Sequence, residues 1–143
     1  MTAPAQHDTQ VSPASSRLAA LRGNCMGAAV LLIVQFGLGM GVNLYVTLPA
    51  RKSFLSTVFG SAVLAAHAIV ALALLGAAIA ALVRAIRARR VVVFTALGLA
   101  AIVAAAIAGA SFVGNQATGA SLAMALATAV AMFCYLAAIF SLR

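Results

Sequence analysis

A chain of 143 residues that is 66% hydrophobic and 7% charged, with Asp8 as its one acidic side chain, cannot cover the surface of a water-soluble domain. The net charge of +8 does not point to nucleic acid, because the basic residues fall in a tail and in connections between apolar runs, with no aromatic residues interleaved. Four apolar stretches of about 20 residues or more take up most of the chain, so the expected fold is all-α, an integral membrane antiparallel four-helix bundle.

Met1 to Ser16 is rich in Ala, Pro, Ser, Thr and Gln without apolar periodicity and reads as a disordered tail. Arg17 to Asn24 reads as an interfacial lead-in, so residues 1–24 stand apart from a membrane domain over 25–143. The first helix is expected at about 25–47, a length that crosses the hydrocarbon with some tilt. It is too long and too far from Met1 for a secretory signal core, which favours a retained helix. Pro49 stops it, and Leu48 to Thr57 forms a loop carrying Arg51 and Lys52.

The second helix is expected at about 58–82 and runs toward Arg84, Arg87, Arg89 and Arg90, a cluster that snorkels to lipid headgroups and complements the negative end of the macrodipole. The third, at about 91–113, follows almost at once, and after an uncharged turn the fourth runs at about 118–140. Arg17, Arg22, the four-arginine cluster and Arg143 lie on one side of these spans, against Arg51 and Lys52 on the other. The positive-inside rule then puts both termini in the cytoplasm. Cys25 and Cys134 lack the spacing of a metal or redox motif and read as small apolar packing residues.

Small and polar residues at helical spacing mark where membrane helices meet. In the first helix Gln35, Gly39 and Asn43 share one face, with Gly37 and Gly41 nearly opposite, which predicts protein on both sides of that helix. His67 shares a face with Gly60, Ala71 and Ala78, and Ala101, Ala105 and Gly109 form a smooth stripe on the third helix. On the fourth, Ser121, Ala125, Thr128, Met132 and Tyr135 line up. Ser and Thr in such helices commonly bond to their own backbone, whereas amides in hydrocarbon need partners, so Gln35 and Asn43 are the more informative pair.

No Asp or Glu lies in the spans, so the proton-coupled exchange of small four-helix multidrug transporters, which depends on a glutamate in the first helix, has no foothold. His67 is the ionisable group deep in the membrane apart from tyrosine and cysteine. Three readings are open for it: a neutral histidine hydrogen-bonded across the helices, a haem b ligand, or a group for proton or quinone work. Haem would need a second axial ligand, for which Met40 or Met124 at similar depth, or His67 of a second copy, are the candidates. Asn43, Tyr45, Ser111, Asn115 and Gln116 lie near the outer helix ends, either lining a shallow polar site with His67 or acting as caps and interface anchors.

The segment GMGVNLYVTLP at Gly39 to Pro49, followed by His67 and by GASFVGNQ at Gly109 to Gln116, resembles a group of uncharacterised small four-helix integral membrane proteins of actinobacteria. The resemblance implies that architecture and a bacterial plasma membrane, and carries no activity. The expected function is a non-enzymatic accessory or self-associating structural subunit, with anionic lipid headgroups and a homo-oligomer or larger membrane complex as partners. A haem- or quinone-linked redox protein centred on His67, and a small-solute carrier or channel using the amide face of the first helix, are the alternatives.

Overall fold

The computed structural model describes residues 13–46, 53–115 and 118–143, without the side chains of Pro13, Ala14, Phe54, Asn115 and Thr118. The order is α1 (Pro13–Tyr45), α2 (Phe54–Phe59), α3 (Ala62–Ala88), α4 (Val92–Asn115) and α5 (Thr118–Ser141). Four of these, all but α2, are long and apolar enough to cross a membrane, and no strand occurs among the described residues. The protein is thus a multi-pass, all-helical chain.

Two boundaries differ from expectation, each for a local reason. Helix α1 begins at Pro13, inside the stretch read as a disordered tail and well before Cys25, because RLAALR over 17–22 is made of good helix formers and a proline is favoured in a first turn. Helix α2 occupies part of the segment expected to be plain loop. It starts where the Ser53 side chain accepts from the Ser56 N–H at 3.3 Å, and Ser61 caps α3 in the same way through the Leu64 N–H at 3.5 Å.

The α3–α4 turn is tight and lacks glycine. Arg89 adopts the left-handed conformation at φ 51°, its N–H donating to the Ile86 carbonyl at 3.1 Å while the Arg90 N–H donates to that of Ala85 at 3.1 Å. These two bonds close the carbonyl end of α3. Val91 also has a positive φ, 52°, a conformation that costs an L-residue roughly 1–2 kcal/mol. It is held there by packing against the main core cluster and by its carbonyl, which accepts from the Thr95 N–H at 3.1 Å.

Helix α1 packs against α3 and α5, α4 packs against α5 and α3, and α2 rests on α3 and α4. The α1–α3 seam keeps one antiparallel register along its length. Ala20 meets Arg84, and twenty-one residues further along α1 Gly41 lies against Val63, twenty-one residues back along α3.

The packed core sits toward the end that carries the α3–α4 turn. Leu21, Cys25, Ala28 and Leu32 of α1, Leu74, Ala78, Ala81 and Ala85 of α3, Ile102 of α4, and Ala131, Tyr135 and Ala138 of α5 are all buried there. Alanines at spacings of three and four let the backbones come close, which is how helices associate where lipid offers no hydrophobic driving force. A second, small cluster of Val42, Val58 and Leu64 closes the opposite end beneath α2.

Candidate functional site

In the half of the molecule nearer α2, four helices bring side chains to one level. Gly39 lies six residues from the end of α1, His67 five from the start of α3, Gly109 six from the end of α4 and Met124 six from the start of α5. At helical rise this is about 8–9 Å inside the helix ends. The two glycines are notches that receive the two large side chains. A Cβ on Gly39 would lie 3.2 Å from His67 Cε1 and 4.0 Å from Met124 Cε, and one on Gly109 would lie 3.3 Å from Met124 Sδ.

Within this layer the Gln35 side-chain amide nitrogen donates to His67 Nε2 at 3.0 Å, joining α1 to α3. Because the ring nitrogen accepts in this arrangement, the ring proton sits on Nδ1. Two buried polar atoms are then left without a partner among the described residues, the Nδ1 of His67 and the Oε1 of Gln35. Rotating the amide by half a turn exchanges donor and acceptor and selects the other tautomer; in both arrangements the pair keeps one donor atom and one acceptor atom with no bond at all.

This geometry bears on each chemistry considered for His67. Nε2 is engaged by Gln35, and the Cε1–Nδ1 edge packs over Gly39. A haem iron would reach the ring only after the imidazole left one of those contacts. Met124 stands at the same level, its Cε 4.0 Å from where a Cβ on Gly39 would be. Met40 points elsewhere and is 43% exposed.

The remaining sequence-derived candidates separate. Asn43 is exposed, and Tyr45 is 84% exposed at the end of α1, so Gln35 and Asn43 do not face one buried path. Asn115 ends α4 with its side chain outside the described residues, as is all of Gln116. The Ser111 hydroxyl donates to the Ile107 carbonyl at 3.0 Å and Thr128 to that of Met124 at 2.8 Å, the self-bonding usual for hydroxyls in apolar helices. Ala125, Thr128 and Met132 of α5, with Ile33 and Phe36 of α1, line a shallow apolar groove between the two helices.

A third notch, which the sequence stripes missed, lies in the packed half. A Cβ on Gly98 of α4 would sit 2.9 Å from Tyr135 Cε2. Tyr135 is fully buried and its hydroxyl has no partner among the described residues. The spacing of Gly98, Ile102, Ala105 and Gly109 is the signal that locates it, one position off the Ala101 register.

The arginine cluster divides too. Arg84 Nη1 donates to the Ala20 carbonyl at 3.2 Å, Arg89 forms the turn, and Arg87 and Arg90 are exposed. Compared with protein-family models, curated proteins and solved structures, the chain matches none.

Proposed function

We propose that the protein is a non-enzymatic membrane subunit that associates with a second copy of itself, built as an antiparallel four-helix bundle with both termini in the cytoplasm. The observation that carries this reading is the outward face of α1. Gly23, Gly27, Val30, Val34 and Gly37 follow one another at spacings of four, three, four and three. A Cβ on Gly23, Gly27 or Gly37 would meet nothing within 4 Å, and Val30 and Val34 are 51% and 44% exposed.

Lipid-facing surface asks only for bulk, so a smooth stripe without bulk is a poor lipid surface and a good helix surface. The same helix already uses Gln35 and Gly39 against α3, leaving the stripe for a helix from outside the chain. The polar groups of the interior serve helix pairing in this reading, as the Gln35–His67 bond does. The basic residues around the α3–α4 turn, against few on the other side, support the cytoplasmic placement of the termini.

The test is the mass of the detergent-purified chain by light scattering, together with Gly27→Leu. The wild type is expected to be a dimer, with the variant's dissociation constant raised at least tenfold, equivalent to about 1.4 kcal/mol, and its helix content unchanged. A wild-type chain that is monomeric at every concentration and carries no other subunit would falsify the proposal.

A further inference from the structure

We infer that the α1–α3 seam, at the end carrying the arginines, binds the phosphate of an anionic phospholipid. The register of the seam carries the inference. Ala20 meets Arg84, so three residues further toward that end Arg17 of α1 stands level with Arg87 of α3. Arg17 lies one turn beyond Ala20, and Arg87 one turn beyond Arg84, the spacing at which helical side chains are neighbours. Arg17, Arg84 and Arg87 therefore form one patch across the seam.

Among the described residues the patch has no counter-ion. Arg17 and Arg87 are exposed and make no hydrogen bond or ion pair among the described residues. Those residues include no Asp or Glu, the chain's single acid being Asp8. Arg84 spends one donor on the Ala20 carbonyl, which holds its guanidinium at the seam and leaves its other N–H groups available. Like charges at this spacing repel, and a planar guanidinium pairs with phosphate through two parallel bonds, so an anion with several oxygens relieves the repulsion and uses the free donors.

The surroundings favour a lipid over a free anion. On α3, Val83 and Ile86 flank Arg84 and are 40% and 55% exposed. With Ile79 one turn deeper and 47% exposed, Val83 gives an apolar strip on the helix face next to the arginines, where acyl chains would lie under a bound headgroup.

Native mass spectrometry of the detergent-solubilised full chain tests this with phosphatidylglycerol, phosphatidylcholine and inorganic phosphate as probes. Phosphatidylglycerol is expected to bind in preference to phosphatidylcholine. The double variant Arg17→Gln/Arg87→Gln is expected to weaken it roughly tenfold, with partial rescue by Arg17→Lys/Arg87→Lys. Arg89→Gln/Arg90→Gln removes the same charge from the turn beyond α3 and is expected to change binding by less than about twofold. Equal losses in the two glutamine variants would show diffuse attraction and overturn the site. Displacement of the lipid by inorganic phosphate at equal affinity would make it a free-anion site instead. Tighter lipid binding by Asp8→Asn would show that the tail carboxylate occupies the patch, and would also overturn the assignment. Unchanged circular dichroism shows that each variant is folded, and the measured mass reports lipid binding separately from any dimer.

Discussion

The two halves of the molecule solve the same packing problem differently. Near the α3–α4 turn the helices close on alanines, cysteines and Gly98, with the Tyr135 ring filling the notch at 2.9 Å from where a Cβ would be. Nearer α2 the partly buried faces carry Gln35, His67 and Met124, and a groove opens between α1 and α5. Dispersion between close backbones holds the first half, whereas the second relies on the small Val42–Val58–Leu64 cluster, one hydrogen bond and two side chains seated on glycine. Close small-residue packing and the Gln35–His67 pair are thus separated along the helix axes.

The sharpest way to break this comparison is the same substitution in each half. Gly98→Ala puts a methyl group against a fully buried tyrosine that has nowhere to turn. It is expected to destabilise by about 1–3 kcal/mol, the usual cost of overpacking, despite the better helix propensity of alanine. Gly39→Ala meets the half-buried His67 ring at 3.2 Å, which can swing away by loosening its bond to Gln35, so the net change is expected to stay below about 1 kcal/mol. Unfolding titrations in mixed micelles measure both. Equal losses would mean that the two halves are equally rigid.

A smaller effect concerns the bond itself. Gln35→Leu leaves the His67 ring nitrogen without its donor, and His67→Leu strands the amide. The double variant removes both polar groups together. A double-mutant cycle is expected to give a coupling of about 0.6 kcal/mol, the average for hydrogen bonds between membrane helices. Strict additivity would show that the bond adds nothing to the association of α1 with α3.

How far the sequence reaches is visible in these residues. The four spans were legible because hydrocarbon demands long apolar runs, a constraint that acts locally and needs no knowledge of neighbours. That Gln35 needs a partner follows equally from local chemistry, since an amide in lipid is costly. That the partner is His67 does not, because it depends on the α1–α3 register, which only the packing of two distant segments sets. The same limit explains the α4 stripe. Ala101, Ala105 and Gly109 are all small, as are Gly98 and Ala105, and in an alanine-rich helix the periodicity alone does not choose between adjacent faces. The arrival of Tyr135 chooses. Helix α2 escaped for a related reason, being six residues long and set by the Ser53 cap more than by any periodicity.

The least effect is expected where intuition predicts a large one. Tyr135 is the largest fully buried side chain, yet its hydroxyl lacks a partner among the described residues. Burying an unpaired hydroxyl is unfavourable, so Tyr135→Phe, which keeps the ring in the Gly98 notch and discards only the oxygen, is expected to be neutral or stabilising by up to about 1 kcal/mol. The same unfolding titration reads it. A loss exceeding that amount would mean that the hydroxyl is satisfied in the membrane, with the buried thiols of Cys25 and Cys134 the first groups to vary. Tight packing in that half would then owe something to polar pairing, and the contrast with the His67 half would be one of degree.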